Sequence, residues 1–387
     1  MTPAAGEFAV QAHERIVFGS PAGDAVLREA QRLGARRVFV VTNRSIAKLD
    51  QGPLQRLVDA LGPLHAGTFA AMSAHSSSAD VAGAALAARD AGADLLVALG
   101  GGSVIDGTKA AQLCLWQGLT TAEQVARLPE GAQDAVAPAP GAIRAIAVPT
   151  TFSGAEFTCT AAVNDEATRT KHVVSHRLLA PRSVVLDPAA TLETPMGLLL
   201  ATGLRAVDHA VESFCSPTAH AATEALSIQG LKLLARALPA IAKNPLDLAA
   251  RHIGQMGVWQ SVAPVAAGVG VGASHGIGYV LGGTYGVPHG ETSCVLLPAV
   301  LRFNAPVNES RQRELAQAVG APGDDLPGFI ANLVTSLGLP GNLRAAGIAR
   351  ADLDDIAARA LAYPAVLANP RAIRSAADVR RILEAAW

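Results

Sequence analysis

ADLLVALGGGSVIDGTKAAQLCL, residues Ala93 to Leu115, decides the fold class. Up to Leu99 it is a nearly unbroken aliphatic run, which reads as a strand covered on both faces. Gly100, Gly101 and Gly102 end that run, and from Val104 the Ala/Leu content reads as a helix. A strand that passes through glycines into a helix leaves free backbone N–H groups at the helix start, where they favour a pyrophosphate. Gly101, Gly102 and Ser103 are therefore candidate phosphate-binding residues, although the spacing is not GxGxxG. Asp106 follows in the first turns with Lys109; an acid there also suits the helix dipole without further role.

The flanking stretches repeat the alternation. Arg36–Asn43 reads as a strand, Ser45–Leu61 as a helix, His65–Ala70 as a short strand, Ser78–Ala91 as a helix and Ala142–Thr151 as a strand. Such alternation predicts a parallel sheet covered by helices. Ligands of these sheets bind at the carboxyl ends of strands, so Thr150, Thr151 and Ser153 in PTTFSG should face the same cleft as Gly101. Asn43 ends the first strong strand and Arg44 follows. Without an acid there to repel a 2′-phosphate, the pair leans towards NADP rather than NAD. Phe157–His176 reads as a hairpin around an Asn-Asp-Glu turn. Beyond Pro181–Pro188 only helical periodicity is visible. The sequence thus divides at Asp187–Pro188 into an α/β dinucleotide-binding domain (1–187) and an all-helical domain (188–387).

Bulk properties exclude several classes. Of 387 residues, 50% are hydrophobic and 16% charged, which suits a well-buried globular chain. A net charge of −1 offers no field for nucleic acid or anionic lipid. Apolar runs are broken before they reach bilayer length, and the opening residues lack the pattern of a secretory signal, so a cytoplasmic location is expected. Cys114, Cys159, Cys215 and Cys294 form no CxxC pair and read as thiols.

A second stretch carries chemistry: GASHGIGYVLGGTYGVPHGETSCVLLP, Gly272 to Pro298. His275 and His289 lie fourteen residues apart across a Gly-Gly turn. Imidazoles that converge in a cleft serve as metal ligands, proton relays or substrate anchors; on spacing alone, two unrelated histidines remain an equal reading.

Taken with GGGSVIDGTKA, PTTFSGAEFT, LDPAATLETP, GLRAVDHAVES and HGIGYVLGGTYGVPHG, the chain resembles the iron-containing alcohol dehydrogenase superfamily from about Val17 to Asn304. The resemblance implies a dinucleotide-binding domain, a helical domain, a cleft between them, and hydride transfer between NAD or NADP and a carbonyl or alcohol carbon. It also implies a homodimer. In the metal-dependent members an Asp and a His four apart join two histidines fourteen apart. His209, His275 and His289 fall on the histidine positions, but Arg205 stands where the Asp should be. Arginine brings fixed charge and no lone pair. Asp208, beside His209, faces about 100° round an ideal helix and is a poor substitute ligand that can instead pair with Arg205. Tyr279 stands where many relatives carry a histidine near the nicotinamide; its hydroxyl can donate a proton or simply pack. His75 lies near a substrate-side histidine of the maleylacetate reductase branch. Lys171 matches a position that contacts the nicotinamide ribose, or is a solvated hairpin lysine.

The expectation is a side branch resembling maleylacetate reductase, which acts in aromatic compound degradation. It would reduce a small carboxylate-bearing oxo acid with NADP(H) or NAD(H), without metal. Arg205 would supply the charge, His209, His275 and His289 would donate hydrogen bonds, and a histidine or Tyr279 would deliver the proton. Two other readings stand beside it. One is a metal-dependent alcohol dehydrogenase holding Fe or Zn on the three histidines. The other is a nucleotide-binding protein without turnover.

Overall fold

The computed structural model describes residues 6–133, 136–166 and 170–387. Contacts divide the chain into two compact units, Gln11–Thr194 and Pro195–Trp387, the second including the segment that ends at Val10. The division falls seven residues beyond the Asp187–Pro188 step. After the strand Ser183–Leu186 the chain makes one more turn, and Thr194 Oγ1 donates to the Thr150 carbonyl at 2.6 Å, which keeps this segment with the sheet.

The first unit contains β1 (Arg15–Phe18), β2 (Val38–Val41), β3 (His65–Phe69), β4 (Leu95–Gly100), β5 (Gly131–Ala132), β6 (Ala145–Pro149), β7 (Thr160–Asp165), β8 (Thr170–Ser175) and β9 (Ser183–Leu186). Six of these form a sheet in the order β1-β9-β6-β4-β2-β3, and every pairing is parallel. Every residue of β2, β4, β6 and β9 is buried, as continuous aliphatic runs require when helices cover both faces. β4 shows the two faces. Leu96 and Ala98 join a core with Ala84 and Ile105, whereas Leu95, Val97 and Leu99 join another with Val26 and Leu57. The hairpin β7–β8 is antiparallel and carries β5 beside β8. Asn164 and Asp165, expected in its turn, still belong to β7.

One expected helix is two. Ser45–Leu61 breaks into Arg44–Ala47 and Pro53–Leu61, because Pro53 starts a new helix after Gly52 and Gln51 takes φ +50°.

Among the described residues the second unit has no strand. The helix Met196–Cys215 is its centre, with sixteen of twenty residues buried. It is surrounded by Ala221–Lys243, Leu248–Ala266, Ala273–Tyr285 and His289–Val319. Ala221–Lys243 passes the length and mean composition of a membrane-crossing helix, but Gly230, Lys232, Arg236 and Pro239 break its apolar run as expected, and Leu231, Leu234, Leu238 and Ile241 are fully buried in the unit. Two glycines set the spacing near the histidines. A Cβ on Gly290 would lie 2.6 Å from the Ala201 backbone, and one on Gly278 would lie 2.9 Å from Thr292 Oγ1.

Candidate active site

In the α/β unit the two predicted loops meet. β4 and β6 are neighbours, with Gly100 paired to Pro149, so their carboxyl ends lie side by side. A Cβ on Gly101 would sit 2.9 Å from Thr151 Cγ2, and one on Gly102 would sit 3.1 Å from Ser153 Oγ. Only glycine leaves this approach open, and Gly101 stands as the cap of the helix Gly102–Gln117. Thr151 Oγ1 donates to Ser153 Oγ at 3.3 Å. Thr150 contributes its backbone N–H to the Gly100 carbonyl.

His75 and Ser76 both have positive φ, +66° and +54°, a strained conformation for side-chain-bearing residues. Two bonds hold them to the helix Gly102–Gln117: the His75 N–H donates to Ser103 Oγ at 2.9 Å, and Ser76 Oγ donates to the Ser103 carbonyl at 2.6 Å. Asn43 uses its side chain to cap the helix that Arg44 begins, accepting from the Ile46 N–H at 2.9 Å. Asp106 accepts from the Ala162 N–H at 3.3 Å. Lys171 is on β8, and its side chain lies outside the described residues.

Glu156, in the turn after Ser153, is 1% exposed, and its Oε2 has no hydrogen-bond partner. Burial pushes its carboxyl up to about 7, against the opposing pull of Lys109. A raised carboxyl adds stability that is complete below the unfolded value near 4.5 and disappears as pH rises through about 7. Glu156→Gln should therefore be the more stable protein at pH 8, by on the order of 3 kcal/mol, with the difference fading towards pH 4.5. Thermal unfolding of both proteins across this pH range checks it.

In the helical unit, Arg205, Asp208, His209 and Glu212 follow one another at i, i+3, i+4 and i+7 on Met196–Cys215, one face of a helix. That face meets Ser274 and His275 at the start of Ala273–Tyr285, and Ser293 in the first turns of His289–Val319. Arg205 is 3% exposed, and its Nη1 donates to Ser293 Oγ at 3.1 Å and to Thr292 Oγ1 at 3.4 Å. Ser293 Oγ and Ser274 Oγ donate to Asp208 Oδ2 at 2.6 and 2.7 Å. Arg205 thus meets Asp208 through a serine. The rings of His209 and His275 lie 4.6 Å apart. Tyr279 stacks on His289 at 6.5 Å and 8°, and Arg205 Cζ lies 5.9 Å from the Tyr279 ring centre. The structure therefore brings together the five predicted residues of this unit. His75 belongs to the α/β unit.

Electrostatics follow from burial. Desolvation, with Arg205 adding to it, pulls His275 down to about 3. His209 is held well below its ordinary value by burial, then by His275 and Arg205. Both imidazoles are neutral at pH 7. Burial raises Asp208 and Glu212, opposed in Asp208 first by His275 and in Glu212 by backbone N–H groups. Burial also raises Tyr279.

Sequence reading missed Glu212, Ser274, Thr292 and Ser293. A polar stripe at i, i+3, i+4 and i+7 on an otherwise apolar helix was the available signal for Glu212.

A parallel sheet with a glycine loop and a helical unit with buried imidazoles together define a nicotinamide-dependent oxidoreductase. Two family models match: iron-containing alcohol dehydrogenase over residues 13–188, and the C-terminal Fe-containing alcohol dehydrogenase family over residues 199–387. The chain belongs to the iron-containing alcohol dehydrogenase family. It is 31% identical to a maleylacetate reductase of Rhizobium sp. strain MTP-10005, over 96% of this chain and 95% of that one. It is 34% identical to a 4-hydroxybutyrate dehydrogenase of Cupriavidus necator, over 96% and 97%. The crystal structure of a maleylacetate reductase from Agrobacterium tumefaciens superposes with a TM-score of 0.84 at 27% identity, covering 100% of this chain and 99% of that one.

The family name implies iron, and the donor set can be tested against it. His209 Nδ1 and His275 Nε2 are buried without protein partners, as ligands would be. Arg205 is not compatible: it has no lone pair, and its fixed positive charge would repel a cation. Ligand atoms of Asp208, Glu212 and His275 also lie within 4.8 Å of one another. Asp208 Oδ2 accepts from two serine hydroxyls and Glu212 accepts from backbone N–H groups and meets His275 Nδ1, whereas Asp208 Oδ1 and His275 Nε2 are buried without a protein partner. Arg205 is thus the residue of this set that does not fit a divalent cation.

Proposed function

We propose that this oxidoreductase reduces a small oxo acid with NADPH or NADH, in the manner of maleylacetate reductase, and that it needs no metal. The observation that carries this is the Arg205 guanidinium, buried beside neutral His209 and His275. A fixed positive charge in a dry site stabilises the negative charge that develops on oxygen as hydride arrives at carbon. Serine and threonine oxygens hold one guanidinium nitrogen, and Nε remains for a ligand. Guanidinium also favours a substrate that carries a carboxylate. Gly101, Gly102, Ser103, Thr151 and Ser153 are the residues proposed for the nucleotide, supported by a helix N-terminus at Gly102 beside the carboxyl ends of the paired strands β4 and β6.

A second reading keeps a metal-dependent alcohol dehydrogenase, favoured by the lone pairs of His209 and His275 that no protein group uses. Metal analysis of the purified protein, with NADPH oxidation assayed on an oxo-acid and ketone panel with and without EDTA, separates the two. Sub-stoichiometric metal and EDTA-resistant turnover are expected. Stoichiometric metal with EDTA-sensitive turnover would overturn the metal-free reading.

A further inference from the structure

Glu212 has an unusual set of partners. The helix Ala273–Tyr285 begins at Gly272, which has no side chain to cap it. Glu212 reaches across from Met196–Cys215 and does so instead. Its Oε2 accepts the Gly272 N–H at 2.8 Å, and its Oε1 accepts the Ser274 N–H at 2.8 Å. Asn369 Oδ1 accepts the Ala273 N–H at 3.3 Å. The same Glu212 Oε2 lies 2.7 Å from His275 Nδ1, and Asp208 Oδ2 lies 3.5 Å from that nitrogen. A Cβ on Gly272 would come within 2.9 Å of Glu212 Oε1, so glycine admits this carboxylate.

The geometry decides which His275 nitrogen carries the proton. Nδ1 faces oxygens of two carboxylates, one of which already accepts a backbone N–H, so Nδ1 is the donor. In a neutral ring the other nitrogen is then an acceptor. That atom, Nε2, is buried and has no protein partner, and so is Arg205 Nε, which can only donate. The two residues are linked through Ser293 and Asp208.

We propose that Glu212 is a positioning residue: it fixes the Nδ1–H tautomer of His275 and so presents Nε2 as an acceptor for an O–H group of the bound substrate or product. This rests on the oxo-acid reading and sharpens it. An acceptor at His275 Nε2 suits the hydroxyl of the alcohol form of an oxo-acid/hydroxy-acid couple, and Arg205 Nε offers a donor to a ligand oxygen. The expectation that His275 donates is replaced by an acceptor role.

The test uses the full chain labelled with ¹⁵N-histidine. Two-bond ¹H–¹⁵N correlation, with His275 assigned by its loss in His275→Gln, should report Nδ1–H in the wild type. Glu212→Gln, whose amide can donate to Nδ1, should shift the ring towards Nε2–H and lower kcat by about tenfold to a hundredfold. The KM for NADPH should hold. Asn369→Ala removes another cap of the same helix; it should lower Tm and leave kcat unchanged. The proposal is overturned if wild-type His275 is Nε2–H, or if Asn369→Ala lowers kcat as much as Glu212→Gln. If Glu212→Gln does not fold, the wild-type tautomer decides alone. Absence of wild-type turnover on every oxo acid would remove the functional reading, while the tautomer would still decide the role of Glu212.

Discussion

Arg205→Asp is expected to lose about a hundredfold to a thousandfold in kcat without metal, and to gain a requirement for a divalent cation. The loss follows from charge. In a buried site the guanidinium stabilises developing oxyanion character, and a carboxylate in its place repels it. Ser293 and Thr292 also lose the Nη1 donor that reaches them at 3.1 and 3.4 Å. The gain follows from ligand chemistry. Asp at position 205 stands four residues before His209 on one helix face, and His275 and His289 supply the remaining imidazoles. The positive charge that now depresses His209 and His275 is removed at the same time. Steady-state turnover of an oxo acid in EDTA and in Fe²⁺ or Zn²⁺, with calorimetry of metal binding, measures both effects. Unchanged turnover in EDTA would sink the assignment of Arg205. Arg205→Lys keeps the charge but loses the planar fork, so an intermediate rate is expected.

The same residues show how much could be read beforehand. β2, β4 and β6 were legible because strands covered on both faces need continuous aliphatic runs. β1 was not: its residues are half-buried or exposed, and its place comes from pairing with β9, about 170 residues away. Arg205, His209, His275, Tyr279 and His289 were named because their types depart from, or agree with, a known pattern. Glu212 was not, because an acid on a helix is ordinarily solvated. Its role exists only once Gly272 and His275 of a separate helix are folded against it. Asn43 shows the converse. Its place at a strand end was read as one that does not repel a 2′-phosphate, and the fold adds a role that the sequence reading did not name, since its Oδ1 caps the next helix.

Lys109→Met should unfold the α/β unit more readily, by about 3–5 kcal/mol, although it removes a buried charge. Two effects oppose each other here. Burial holds the Lys109 amine below its ordinary value, so the charge is costly where it sits. Its three donors are nonetheless engaged: Nζ reaches the Ala155 carbonyl at 2.6 Å, the Thr160 carbonyl at 2.8 Å and Thr158 Oγ1 at 3.1 Å. Methionine fills a similar volume but takes a donor from the Thr160 carbonyl and the Thr158 hydroxyl, leaves the Ala155 carbonyl to Thr158 alone, and removes the positive group 3.7 Å from Asp106. Replacing one partner of a buried network is costly where replacing all of them can be neutral, so the lost hydrogen bonds and the lost counter-charge to Asp106 and Glu156 decide the sign. The effect also reaches function. Lys109 ties the helix that opens with Gly102 to the segment following Ser153, and so holds in register the two loops proposed for the nucleotide. Weaker NADPH binding should therefore accompany the lower stability. Denaturant unfolding and nucleotide titration of the two proteins measure these together. A Tm at or above the wild-type value would mean that the cost of burying the charge outweighs the three hydrogen bonds.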